Sequence, residues 1–149
     1  MKVIELKNGS YDNDAIIKLL QNNTCFIGVF SENCFHCVNM KPEWKKLKTS
    51  LKKIKSNSVL LEIDAAELDK INYSPLKNSI HGFPSIMIFK NGVMRKDFAG
   101  NRTKQEMLKF FKPHLEMTAK KTKRNKKTIS NKTKQRKMKR QAKRLKLLN

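Results

Sequence analysis

Two cysteines stand at positions 34 and 37, with Phe35 and His36 between them. Sulfurs three residues apart can close a disulfide across one helical turn. If Cys34 lies at the start of a helix, the unpaired backbone N–H groups and the helix dipole favour its thiolate. Such a thiolate attacks a substrate disulfide and forms a mixed disulfide, which Cys37, one turn deeper, can resolve. His36 adds a positively polarisable group that favours thiolate over disulfide and makes the disulfide form more oxidising. The same spacing is also half of a zinc site. Zinc wants four protein ligands, or three with an open position. Only Cys25, His36, His81 and His114 are available to complete such a set, and there is no second Cys-x-x-Cys. Three cysteines are too few, and odd in number, for a disulfide scaffold.

A thiolate at a helix N-terminus needs a strand that ends just before it and a helix that begins on it. Both are legible. Cys25 to Phe30 is an unbroken apolar run that predicts a central strand buried on both faces. From Cys34 to about Lys55 the apolar residues Met40, Trp44, Leu47, Leu51 and Ile54 recur at helical steps. Pro42 inside that helix predicts a kink. Upstream, Val3 to Leu6 predicts a strand ending at Asn8-Gly9, then a helix from about Tyr11 to Gln21 capped by Ser10 or Asp12. Downstream, Ser58 to Ile63 predicts a buried strand and Ala65 to Lys77 a short helical region. Pro84 to Phe89 and Val93 to Phe98 predict a hairpin around Asn91-Gly92, and Thr103 caps a last helix running to Leu115. The order β-α-β-α-β-α-β-β-α predicts an α/β protein with a mixed sheet flanked by helices.

The segment from Val29 to Trp44 resembles the active-site stretch of the thioredoxin superfamily. It is most similar to the catalytic domains of protein disulfide isomerases, which carry Cys-x-His-Cys, a proline five residues later and an aromatic residue two after that. His81-Gly82-Phe83-Pro84-Ser85-Ile86 resembles the family's Gly-aromatic-Pro-Thr segment, and Asn91-Gly92 and Phe98 to Thr103 follow in family order. The resemblance covers residues 1–115 and implies a thioredoxin fold. It implies a cis peptide bond before Pro84, with that proline opposite the cysteine pair, and a role for Arg102 in the proton transfer of the resolving cysteine. The chain departs from the pattern at Asn33, where many relatives have tryptophan, and at Phe35, where glycine is common. It departs also at Gly28, where many relatives carry a buried acid that accepts the resolving cysteine's proton. Trp44, Met40 and Leu47 read as core, Cys25 as a buried strand thiol, and His81 and His114 as surface histidines.

Charge divides the chain in two. Residues 1–115 hold 19 Lys/Arg against 11 Asp/Glu, whereas residues 116–149 hold 15 against one, Glu116. The second part has no aromatic residue. It cannot bury enough apolar surface to offset the entropy of ordering it, so a basic C-terminal tail, disordered or partly helical, is expected. Met138, Ala142, Leu145 and Leu148 would form a thin apolar stripe if its end became helical. A tail of this kind suits phosphates, a nuclear-import receptor or an anionic membrane. Lysine outnumbers arginine 28 to 6, a bias that suggests an AT-rich genome, as in large DNA viruses or some protozoa.

The opening residues lack the apolar stretch and cleavage site of a secretory signal, and no segment approaches a membrane span. The expectation is a soluble chain made in the cytosol, with the virion or the nucleus as destinations. The expected function is thiol–disulfide exchange on protein substrates without cofactor or metal, with Cys34 attacking and Cys37 resolving. His36 favours an oxidase or isomerase, and cytosolic synthesis favours a reductase. The competing expectation is a thioredoxin-fold binding or virion-packaging protein that works through a nucleic-acid-binding tail.

Overall fold

The structure is a computed structural model that describes residues 1–9 and 11–118. Ser10 and the tail from residue 119 onward, including the apolar stripe, lie outside the described residues. Met1–Thr118 forms one unit.

Its strands are β1 (Lys2–Leu6), β2 (Thr24–Phe30), β3 (Val59–Asp64), β4 (Ser85–Lys90) and β5 (Val93–Asp97). They form one sheet in the order β1-β3-β2-β4-β5. β3 pairs in parallel with β1 and β2, and β4 runs antiparallel to β2 and β5. The helices are α1 (Asn13–Asn22), α2 (Phe35–Lys52), α3 (Ser74–Lys77) and α4 (Lys104–Phe111).

All seven residues of β2 are buried, as its apolar run predicts for a strand covered on both faces. The alternation of side chains along a strand then sorts the core in two. Cys25, Ile27 and Val29 of β2 pack with Val59, Leu61 and Ile63 of β3, Met87 and Phe89 of β4, and Ile16 and Leu20 of α1. Phe26 and Phe30 face the other way. They pack with Leu60, Ile86, Ile88, the α2 residues Met40, Trp44, Leu47 and Leu51, and Met107 and Phe111 of α4. Phe26 stacks on Phe111 at 4.5 Å between ring centroids. The 40, 44, 47, 51 spacing therefore lays α2 against the sheet along one stripe. Pro42 lies inside α2 without ending it.

The caps follow their chemistry. The Asp12 carboxylate accepts from the Asp14 and Ala15 amides at the start of α1, and the Thr103 hydroxyl accepts from the Glu106 amide at the start of α4. Asn91 and Gly92 both take positive φ, 54° and 79°, as a two-residue hairpin with the sheet's twist demands.

Three features of the structure go beyond the sequence reading. The helical region at 65–77 is broken into a 3-10 turn, Ala65–Glu67, and the single turn α3: Tyr73 is extended, and Pro75, which has no N–H to bond back into a preceding turn, sits in the first turn of α3. Glu67 is buried and is held by the Tyr11 hydroxyl at 3.0 Å, the Gly9 amide at 3.1 Å and Lys70 at 3.1 Å. Finally, Glu116 and Met117 make specific contacts with the domain. The backbone carbonyl of Glu116 accepts from the Ser56 hydroxyl and the Asn57 amide, both at 2.8 Å. Its amide donates to Ser58 at 2.9 Å, and its carboxylate accepts from Thr24 at 2.6 Å and pairs with Lys90 at 3.1 Å. Ser56 and Met117 form a β-bridge.

Thr24 and Ser58 are buried, so removing Glu116 strands two hydroxyls. A chain ending at Leu115 is expected to be about 2–3 kcal/mol less stable in urea than one ending at Thr118. Equal denaturation midpoints would show that the Glu116 contacts contribute nothing.

Candidate active site

β2 ends at Phe30, and Ser31-Glu32-Asn33 turns the chain into α2. Cys34 is the N-cap of that helix, with extended backbone (φ −102°, ψ 112°). Its sulfur takes the place of the usual oxygen cap and accepts from the Cys37 amide at 3.1 Å. On its other side the sulfur lies 3.5 Å from the carbonyl oxygen of Phe83, to which the thiol can donate. The Phe83–Pro84 bond is cis, as the resemblance implied. The loop before β4 and the start of α2, 49 residues apart in sequence, thus meet at one sulfur.

All three cysteines are free thiols, in different environments. Cys34 is half-buried and is held below the ordinary thiol pKa. The largest cause is the hydrogen bond from the Cys37 thiol; partial burial opposes it, and the Cys37 and His36 amides and the charge of Arg102 add to it. Cys37 is fully buried and is pushed up to about 11. Burial is the main cause, followed by the Cys34 thiol, while the Ser31 backbone and Arg102 pull the other way. Cys25 is pushed up to about 12, chiefly by burial, and its thiol faces the Leu19 carbonyl at 3.6 Å. The pair is therefore asymmetric: an accessible sulfur that ionises readily beside a buried one that does not.

Of the five sequence-identified residues, Cys34, His36 and Cys37 share the start of α2, and Pro84 follows Phe83, whose carbonyl faces the Cys34 sulfur. The charge of the fifth, Arg102, is the smallest of the named influences that favour the two thiolates. The His36 ring is exposed and packs edge-on against Phe35 at 5.9 Å between centroids, and its amide helps to hold the Cys34 thiol below its ordinary value. Among the described residues no three His, Cys, Asp or Glu side chains gather as a metal-binding group.

Sequence reasoning left Gly28 as a missing side chain. The structure shows what fills its place. A Cβ on Gly28 would lie 2.5 Å from the Trp44 ring, so the indole occupies the space beside the strand. The Trp44 ring meets Phe30 edge-on at 5.1 Å. Its Nε1 donates to Glu62 at 2.9 Å, and Glu62 is the β3 residue paired with Gly28. Lys48 bridges Glu62 and Glu5 from α2. The signal available in the sequence was a glycine in an otherwise bulky buried strand opposite the chain's only tryptophan.

The thioredoxin family profile matches residues 2–113. The chain belongs to the thioredoxin family. It is 29% identical over 106 residues to human protein disulfide-isomerase A6, an alignment covering 71% of this chain and 23% of that protein. It is 35% identical over 83 residues to the protein disulfide-isomerase of Saccharomyces cerevisiae, covering 54% of this chain and 15% of that one. The first thioredoxin domain of mouse protein disulfide-isomerase A4 superposes with a TM-score of 0.55 at 27% identity, over 73% of this chain and 72% of that domain structure. The chain thus spans about a quarter or less of the length of the curated relatives it matches. Among the described residues no helix is long and apolar enough to cross a membrane.

Proposed function

We propose that the chain catalyses thiol–disulfide exchange on protein substrates, with Cys34 as nucleophile and Cys37 as resolving thiol. The observation that carries this is the position of the Cys34 sulfur, which caps α2 and faces the backbone beside a cis proline. The Cys34 thiolate attacks one sulfur of a substrate disulfide, and the other substrate sulfur leaves as a thiolate and takes up a proton. Cys37 then loses its proton and attacks the Cys34 sulfur. The second substrate thiol is released and a Cys34–Cys37 disulfide remains. Two electrons have passed from the pair to the substrate, and the reverse sequence oxidises a substrate dithiol. Exchange needs no cofactor. Reactivation of a scrambled disulfide protein tests the proposal: loss of activity in Cys34→Ser supports it, and full activity in that variant overturns it.

The direction proposed is oxidase or isomerase rather than strong reductase. Support comes from His36 between the cysteines and from relatives named protein disulfide-isomerases. The Cys34–Cys37 couple is expected to lie nearer the isomerase value of about −180 mV than the thioredoxin value of about −270 mV. Equilibration with glutathione buffers measures it. A potential at or below that of thioredoxin would reverse the assignment.

A second activity is proposed for the tail, on the observation that residues 117–149 carry 15 Lys/Arg and no Asp or Glu. Such a segment neutralises phosphates and releases counterions, which suits a protein working near nucleic acid in a nucleus or virion. Affinity for DNA should be insensitive to sequence and fall by about 10³-fold or more between roughly 50 and 200 mM salt. If the full chain bound no tighter than one ending at Thr118 near physiological salt, the nucleic-acid role would be lost.

A further inference from the structure

Six large apolar side chains are exposed among the described residues. Val93 and Met94 belong to the edge strand β5, and Met117 to the closing bridge. The other three belong to residues next to Cys34 in the chain or in backbone contact with it. Phe35, 73% exposed, follows Cys34 directly. Val38, 50% exposed, lies one turn on, its amide donating to the Cys34 carbonyl at 3.0 Å. Phe83, 38% exposed, supplies the carbonyl 3.5 Å from the Cys34 sulfur.

We propose that Phe35, with Val38 and Phe83, forms an apolar collar around Cys34 that selects substrate disulfides whose cysteine is flanked by an aromatic or large aliphatic residue. The proposal rests on the exchange activity proposed above and names the substrate class of that site.

Nothing in the fold requires a phenyl group at position 35. The helix start is made by the Cys34 sulfur and backbone amides, and the ring's neighbour is the exposed His36. A large aromatic surface left in water is unfavourable unless something covers it. The reaction itself brings the cover. In the mixed disulfide the substrate sulfur lies about 2 Å from the Cys34 sulfur, so side chains next to the substrate cysteine come within reach of Phe35 and Phe83. The collar offers them apolar contact and no charged side chain of its own. A second copy of the chain is a poorer occupant. The three side chains expose roughly 300 Å² together, against the ~800 Å² per partner that a stable interface buries.

The test uses the reduced full chain and three disulfides. Two are symmetrical dimers of the blocked peptides Gly-Cys-Phe and Gly-Cys-Ser, whose leaving thiols are alike. The third is 2-hydroxyethyl disulfide, which has no flanking residue. The wild-type chain should react about tenfold faster with the Phe peptide than with the Ser peptide. In Phe35→Ser that ratio should fall to about twofold or less, and in Phe35→Leu most of it should remain. The ratio is insensitive to changes in the nucleophilicity of Cys34, because both peptides meet the same sulfur. Consumption of 2-hydroxyethyl disulfide with a wild-type peptide ratio near one would overturn the collar while leaving the exchange activity standing. A ratio unchanged in Phe35→Ser would do the same. No reaction with any of the three would overturn the exchange activity and the collar together. A concentration-dependent dimer abolished by Phe35→Ser would assign the patch to a second copy and overturn the proposal.

Discussion

At about pH 6, iodoacetamide is expected to alkylate Cys34 at least about 100-fold faster than Cys37 or Cys25. The thiolate is the reacting species, and its fraction falls tenfold for each pH unit below the pKa. Cys34 is held below the ordinary thiol value, first by its hydrogen bond with the Cys37 thiol and then by backbone amides and Arg102. Burial pushes Cys37 up to about 11 and Cys25 to about 12. The first thiol therefore ionises well before either of the others, even before their lower accessibility is counted. The sign of the pH dependence follows. Lowering the pKa of Cys34 moves the half-maximal rate of its labelling to lower pH than for a free cysteine, while Cys37 stays protonated across that range. Mass spectrometry of the partly labelled protein identifies the site. Earlier labelling of Cys37 or Cys25 would show that the helix cap does not activate Cys34.

The second large effect is expected from Cys37→Ser. A hydroxyl cannot displace the substrate from the Cys34 sulfur, so turnover should fall by at least about 100-fold and the chain should accumulate in mixed disulfides with its substrates. These complexes should appear on non-reducing gels, vanish with dithiothreitol, and be absent from the double variant in which Cys34 is also serine. A Cys37→Ser chain that stayed monomeric under substrate load would mean that Cys37 is not the resolving thiol. The variant retains the backbone amide that donates to the Cys34 sulfur, so the cap itself survives the substitution.

The parts of the fold that were legible from sequence are those in which one residue type answers one local demand. The apolar run 25–30 is the central strand, the 40-44-47-51 stripe is the buried face of α2, and Asn91-Gly92 is the tight hairpin. Cys34 and Cys37 stood out because their spacing is itself the chemistry. Pro84 was different. Its sequence position alone fits the first residue of a strand, and only the family resemblance pointed to the cis bond that the structure contains. Other features were hidden because they depend on residues far apart in the chain. Glu116 meets Thr24 across 92 residues, Tyr11 meets Glu67 across 56, and Phe83 meets Cys34 across 49. No local periodicity announces such pairs, since each partner is placed by a different element of the fold. The break within 65–77 was missed because the composition favours helix throughout, whereas Tyr73 is extended and Pro75 opens a new turn.

The way Trp44 fills the gap left by Gly28 has a consequence for substitution at either position. An aspartate or glutamate at position 28 would bring its Cβ to 2.5 Å from the indole, a collision that the buried strand and the packed helix cannot both relieve. Shrinking Trp44 first is no easier, because that opens a cavity in the core and strips Glu62 of its indole donor. The atoms in the way are the outer edge of the indole, which a smaller aromatic ring lacks, so the two positions are coupled: Gly28→Asp should cost less stability in a Trp44→Tyr background than in the wild-type chain.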